Sequence, residues 1–477
     1  MDSAIVRTTY ETALWMKGAG ELAALIRTRE VSAREVIDAH LARIDDVNPQ
    51  VNAITTILAD EAREAAAAVD RAVVSGATLG PLAGVPFTVK ENVDVAGSAT
   101  SWGVAAMSGQ IASVDAPIVA RLREAGAIPI GRTNLPDFAL RWDTKSSRGG
   151  RTQNPWDSGR TAGGSSGGEA VALATGMTPL GVGNDLGGSL RVPSQMCGTA
   201  ALKPTRGRVA DAAVTQPVPT LAMQVTQTQG PMARRVADLR LALHVVSLPD
   251  VRDPRWVPAP LDGPGGDGIR VAVVRDPLGS GVDPHVRAGL DRAVDWLADA
   301  GYAIVEAEPP LVAEAVHAWV DALYADLAQV WSQMEPLVDP ELSSFFSLCV
   351  SHGIFRPVDQ ARQMATWVAV HEIGAAWAAF LESHPLVVSP VCCERPWAIG
   401  DDLARTPEIV NAMRMVMPVN ILGLPSCAVP VGCDEGLPQG VQVIGRHFRE
   451  DLILDAAQAI EYRAPRLTPI EPRRGTA

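Results

Sequence analysis

The sequence predicts an α/β protein: one large domain over residues 1–477 in which a central sheet is flanked by helices. Three observations carry this. Residues 269–306 alternate apolar strand, amphipathic helix and strand, the pattern of a sheet covered by helices. Apolar runs elsewhere end beside glycine- and serine-rich loops, where α/β sheets place their functional groups. Finally, 477 residues that are 47% apolar can bury a large core.

Taken in order, residues 22–27 and 32–46 read as amphipathic helices, the second opened by a capping box from Ser32 to Glu35 and stopped at Asn48-Pro49. Residues 61–74 form an alanine-rich helix. A Gly/Pro turn at 80–84 then leads into the apolar strand 85–89, which delivers Lys90 at its end. Residues 115–125 are helical and 127–131 a strand. The segment 169–181 reads as a small-residue helix followed by a short strand, and 198–203 continues the core. A helix is expected at 231–248, strand–helix–strand over 269–306, and further strands at 387–390, 426–431 and 440–444. The helix 451–462 closes the chain. Between them, residues 310–381 are helical and rich in large apolar side chains, among them Trp319, Trp331, Phe345, Phe346, Trp367 and Trp377. This segment is expected to cover a substrate site.

Composition narrows the function classes. The formal charge is −13 with no long run of like charges, which argues against a nucleic-acid surface or a polybasic anchor. Residues 1–17 lack a signal-peptide core, and no stretch approaches the roughly 18 uninterrupted apolar residues of a membrane span. A soluble, cytoplasmic protein is expected. Six cysteines, at 197, 349, 392, 393, 427 and 433, form no CxxC pair or zinc spacing and are expected to be buried thiols, with no metal and no cofactor. Of 41 basic residues only Lys17, Lys90, Lys145 and Lys203 are lysines. Lys can lose its proton where Arg cannot, so each marks a place where an amine can serve chemistry.

Two glycine-set serines, Ser165 and Ser189, flank the segment 169–181, whose helix-and-strand return can bring their hydroxyls together. Glycine lets a substrate approach bare backbone N–H groups, and Asp185-Leu186-Gly187-Gly188 has the look of an oxyanion loop leading into a nucleophile.

These residues carry a resemblance. Gly84-Val-Pro-Phe-Thr-Val-Lys90, Asn154-Pro-Trp-Asp157, Gly163-Gly-Ser-Ser-Gly-Gly168, Asp185-Leu-Gly-Gly-Ser-Leu-Arg191 and Leu202-Lys-Pro-Thr-Arg-Gly207 resemble the amidase signature family, in the family's order and over almost the whole chain. The resemblance implies a single α/β domain with a mixed sheet, and a Ser–cisSer–Lys triad. Its lysine falls on Lys90, its cis-serine on Ser165 and its nucleophile on Ser189, with the backbone N–H groups of Leu186, Gly187 and Gly188 as oxyanion hole. Asp185, Arg191 and Ser166 would support the site. An alcohol needs a neighbouring base to attack a carbonyl, and Ser–Lys sets are one solution. Burial of Lys90 would favour its neutral form. The implied activity is hydrolysis of amide C–N bonds through an acyl-enzyme. The implied partner is a small-molecule amide or carbamate, and a homodimer is one assembly left open.

Two departures shape the substrate expectation. Glu169 stands where many members carry a small residue, and Asn184-Asp-Leu replaces a common Thr-Asp-Thr. Both resemble members acting on apolar, aryl or long-chain amides, with carbamates and esters as related substrates, more than the glutamine-hydrolysing component of the tRNA amidotransferase. The competing readings are an α/β-hydrolase esterase and that amidotransferase component. Gly163-x-Ser165-x-Gly167 fits the esterase elbow, but residues 156–162 are polar where that motif needs a strand. An esterase would also require a histidine such as His352, His371, His384 or His447. A nucleotide-binding module lacks its phosphate loop.

Overall fold

The computed structural model describes residues 13–215, 220–266 and 268–473. The expectation of a missing signal peptide falls largely on residues 1–12, outside the described residues. Thirteen strands are described: β1 (Ile54–Ile57), β2 (Pro86–Lys90), β3 (Ile128–Thr133), β4 (Lys145–Ser146), β5 (Gly150–Arg151), β6 (Leu180–Asp185), β7 (Ala200–Lys203), β8 (Thr228–Ala233), β9 (Arg270–Val273), β10 (Ala303–Glu306), β11 (Leu386–Ser389), β12 (Ser426–Asp434) and β13 (Leu437–Gly445). Eleven join one sheet in the order β1-β3-β2-β6-β8-β7-β12-β13-β11-β9-β10, while β4 and β5 form a separate ribbon.

The sheet is mixed. β3, β2 and β6 run parallel, β8, β7, β12 and β13 pair antiparallel, and β11, β9 and β10 are parallel again. Central strands read as continuous apolar runs because helices cover both faces: β2, β3, β6 and β13 are buried at every residue. Since β2 and β6 are parallel neighbours, their carboxyl ends open on the same edge, and Lys90 and Asp185 emerge side by side there.

Most predicted elements are present, with informative differences. The capping box at Ser32 forms, but its helix runs Ala33–Val51 with Pro49 inside it. The stop comes from Asn48, whose side-chain oxygen accepts the Ala53 and Ile54 amides at 2.9 and 2.8 Å. The helix expected from 231 begins only at Val236, because Thr228–Ala233 is a buried strand between β6 and β7. Five cysteines are buried, but Cys433 is exposed. The helix Gln360–Ser383 is, among the described residues, the one candidate long and apolar enough to cross a membrane; interspersed polar residues keep it from meeting the uninterrupted-run criterion. Here Thr366, Ile373, Trp377 and Leu381 pack it inward.

Candidate active site

Lys90 ends a fully buried strand and is itself 0% exposed. Its Nζ donates to Ser165 Oγ at 2.8 Å and to Asn184 Oδ1 at 2.9 Å. Asn184, on β6, is oriented in turn by Asn92: its Nδ2 donates to Asn92 Oδ1 at 3.1 Å. Burial lowers the amine's pKa from 10.5 to about 7, against the opposing pull of the Asp185 and Glu169 carboxyls. Much of the amine is thus neutral near pH 7. Sequence reasoning does not find Asn92 or Asn184 as site residues. The one signal for Asn184 is its departure from a family threonine.

Ser165 follows a cis peptide bond after Gly164. Its loop is held by Thr144, whose hydroxyl donates to Gly163 O at 2.8 Å and accepts from the Gly167 amide at 3.2 Å. The two serine loops are tied by the Ser166 amide donating to Ser189 O at 3.1 Å. The Ser166 hydroxyl is buried and has no partner among the described residues. Ser165 and Ser189 are buried yet both line one cavity.

The loop into Ser189 is rigid. The Asp185 carboxylate accepts from the Gly188 amide at 2.7 Å, the Leu190 amide at 3.2 Å, Asn420 Nδ2 at 2.9 Å, and Arg191 Nε and Nη2 at 2.9 and 3.1 Å. Burial alone would raise its pKa, but the Arg191 guanidinium outweighs this and holds it well below the usual carboxylate range. Arg191 also donates to Gln442 and Asn420, so it braces the loop from behind and is fully buried. Of the three amides expected to form an oxyanion hole, that of Gly188 is therefore already committed to Asp185. The Leu186 and Gly187 amides donate to no group among the described residues. Their carbonyls accept, at 2.8 Å each, from the indole N–H groups of Trp319 and Trp142.

Two cavities meet at Ser189. One, of about 60 Å³, is walled by aromatic and aliphatic side chains, Trp142, Trp319, Trp331, Phe345 and Phe346 among them. The other, of about 400 Å³, is lined by Ser165, Asn184, Trp102, Phe138 and Met334 among others. Trp142 and Trp319 stack with centroids 6.2 Å apart, Phe345 meets Trp142 edge-on, and Trp331 lies on Phe346 at 3.9 Å. Of the tryptophans in that segment, Trp319 and Trp331 line the cavity at Ser189, and Trp367 and Trp377 do not. Trp377 is core, 1% exposed, and Trp367 packs half-buried against that core. Trp142 lies outside the predicted helical segment and escapes sequence reasoning, since its place beside Leu140 and Arg141 offers no helical period to follow. None of the eight histidines lines either cavity, which leaves the Ser–His–Asp alternative without its base.

An apolar cavity lined by two serines, one of them hydrogen-bonded to a buried amine, suits a hydrolytic enzyme of the amide-cleaving class. The sequence profile of the Amidase family matches residues 35–454, and the chain belongs to this family, the amidase-signature hydrolases acting on amide C–N bonds. The indoleacetamide hydrolase of Bradyrhizobium diazoefficiens is 41% identical over 460 residues, covering 94% of this chain and 87% of that protein. A glutamyl-tRNA(Gln) amidotransferase chain of Symbiobacterium thermophilum is 33% identical over 475 residues, covering 94% and 96%. Among solved structures, substrate-complexed 6-aminohexanoate cyclic dimer hydrolase superposes with a TM-score of 0.82 at 26% identity, over 96% of this chain and 99% of that one.

Proposed function

We propose that the protein hydrolyses apolar, aryl-bearing amides through an acyl-enzyme formed on Ser189. The observation that carries this is the 2.8 Å hydrogen bond between Lys90 Nζ and Ser165 Oγ at a cavity that Ser189 also lines. A neutral amine keeps two N–H donors and one lone pair. With one N–H kept on Asn184 Oδ1, the lone pair turns to Ser165 and the contact reverses, so the Ser165 hydroxyl donates to Nζ and gives up its proton as it takes that of Ser189. Ser189 Oγ attacks the carbonyl carbon, and the resulting oxyanion rests on the Leu186 and Gly187 amides. The proton returns through Ser165 to the departing amine, and water then releases the acid by the same route in reverse. The Gly188 amide, bound to Asp185, anchors the loop instead.

The substrate class follows from the walls. An aryl group packs on Trp142, Trp319 and Phe345, and the single charged lining residue of that cavity, Arg141, is engaged by Asp402 and Glu341 at 2.6 Å each. No free charge is left in that smaller cavity for the ionised head of glutamine, while the larger one also carries the Asp326 carboxylate, which accepts from the Ala222 amide at 2.7 Å. An indole-bearing amide is the substrate named for the 41%-identical relative. Aryl carbamates and esters present the same carbonyl and are expected as secondary substrates.

The test is a comparison of kcat/KM for an arylacetamide, an anilide, an aliphatic amide and glutamine, together with labelling by a serine-directed fluorophosphonate. The arylacetamide should be fastest, the adduct should map to Ser189, and Ser189→Ala should lose both labelling and turnover. Faster glutamine hydrolysis, or an adduct found only on Ser165 or Ser166, would overturn the assignment.

A further inference from the structure

We propose that Asp326 selects the amine half of the substrate, favouring amides whose departing amine ends in a second, positively charged amino group. This rests on the acyl-enzyme reading above and adds which half of the substrate each cavity takes. Ser189 lines both cavities, whereas Ser165 lines only the larger one. Because Ser165 hands its proton to the departing nitrogen, that nitrogen must leave on the Ser165 side. The amine half therefore extends into the larger cavity, and the acyl half is left to the smaller, aromatic one.

One wall of the larger cavity is a stripe of the helix Val312–Met334, where Leu323, Asp326, Leu327 and Val330 recur at three- and four-residue spacing. An inward stripe of this kind is ordinarily apolar, so a carboxylate within it is the informative exception. Asp326 is the single charged side chain lining this cavity among the described residues. Its Oδ2 accepts from the Ala222 amide, in the first turn of the short helix Leu221–Thr226. Its Oδ1 accepts from no group among the described residues. The arginines that reach these two helices are engaged elsewhere: Arg362 pairs with Asp321, and Arg255 and Arg206 donate to the Gln224 and Val225 carbonyls. Arg141, the charged residue of the smaller cavity, has two carboxylate partners, while Asp326 has no cation among the described residues.

The helix also sets the reach. Trp319, which holds the Leu186 carbonyl, stands two turns before Asp326, about 10 Å along the axis. At roughly 1.2 Å per bond of extended chain, an arm of about four to six carbons carries an ammonium from the scissile nitrogen to that depth. Its methylenes lie along Leu323 and Leu327, and its N–H groups meet Oδ1 in a charge-assisted hydrogen bond. Hydrolysis adds the elements of water across the C–N bond and releases an aryl-bearing acid and a free diamine.

The test measures kcat and KM for phenylacetamides bearing N-aminobutyl and N-aminohexyl arms, their neutral N-pentyl and N-heptyl isosteres, and an N-carboxybutyl arm, in wild type and Asp326→Asn. Asparagine keeps an oxygen for the Ala222 amide and removes the charge. In wild type, at least one cationic arm should exceed its neutral isostere in kcat/KM by roughly tenfold, with the anionic arm slowest. In Asp326→Asn that advantage should disappear, with the change falling on KM. Equal losses on cationic and neutral arms would overturn the proposal, since a carboxylate that only ties the two helices together acts on both alike. A wild type that cleaves neutral arms as well as cationic ones would overturn it too, and this comparison decides the matter should the variant not fold. Placing the ammonium on the acyl half, in ω-aminoacyl anilides, checks the orientation: a response to Asp326→Asn in that series alone would refute the assignment of halves. If phenylacetamide is hydrolysed with Ser189 labelled and no arm preference appears, this proposal fails alone. If no aryl amide is cleaved, the acyl-enzyme reading fails with it.

Discussion

Replacing Lys90 by methionine is expected to destroy activity and stabilise the protein, an uncommon combination whose size follows from burial. The amine is depressed from 10.5 to about 7 by removal from water. At about 1.4 kcal/mol per pH unit, holding it protonated in the fold costs roughly 5 kcal/mol. The sign follows from linkage. The unfolded chain binds this proton more tightly than the folded one, so the cost is present in full below pH 7, shrinks as pH rises, and vanishes near 10.5. Methionine removes the charge and keeps an unbranched stem, but forfeits the hydrogen bonds to Ser165 and Asn184, at about 1 kcal/mol each. The variant should therefore exceed wild type by about 3 kcal/mol at pH 6, and this advantage should vanish at about pH 9 and reverse above it, where the lost hydrogen bonds outweigh the remaining charge cost. The assay is thermal unfolding of both proteins across that range, where the difference cancels titrations common to the two. Turnover should fall by at least 10²- to 10⁴-fold, roughly the loss of a general base. A variant less stable than wild type by the same amount at every pH would show that Lys90 is held as an ordinary ammonium, and the reasoning would fail.

Two further substitutions probe the loop and the wall. Gly187→Ala would drive a Cβ into Trp319 Cζ2, an overpacking of about 1–3 kcal/mol. The displaced amides should lower kcat by about 10²-fold, as for a lost oxyanion donor. Gly265→Ala, with nothing within 4 Å of the added methyl, serves as the neutral control in the same kinetic and melting assays. Phe346→Ala removes the ring stacked on Trp331 at 3.9 Å. It should lower kcat/KM for an arylacetamide by tenfold or more, about 1–3 kcal/mol, while acetamide turnover changes only a few-fold. Equal losses on both substrates would show that the wall is structural.

What the sequence discloses about this site is local. An apolar run ending in a rare lysine places Lys90 at a strand end, and glycines around Ser165 and Ser189 mark loops where backbone must come close. The parallel pairing of β2 with β6, which sets Asn184 against Lys90, lies between segments far apart in the chain and leaves no trace in periodicity. The end of the strand Thr228–Ala233, from Pro231 on, reads as a helix start because a proline suits a first helical turn and no apolar alternation precedes it, yet pairing with β6 and β7 buries the whole strand. Pro49 reads as a stop, although the terminator is the Asn48 side chain one residue earlier. The tryptophans show the same limit: helical spacing marks Trp377 as readily as Trp319, and only tertiary packing decides which one lines the cavity at Ser189.

The two indole hydrogen bonds, from Trp319 to the Leu186 carbonyl and from Trp142 to that of Gly187, have a consequence for how this enzyme can be remodelled. The peptide unit joining Leu186 to Gly187 gives its carbonyl to Trp319 and leaves its amide for the proposed oxyanion site, while the next unit gives its carbonyl to Trp142 and its amide to Asp185. Widening that cavity by trimming either tryptophan would release the loop that the chemistry needs fixed, so substrate range and rate cannot be tuned independently at these positions. Changes in selectivity should therefore accumulate at Leu342, Phe346 and Phe355, which line the cavity without holding the loop, and a directed-evolution campaign should find its tolerated substitutions there.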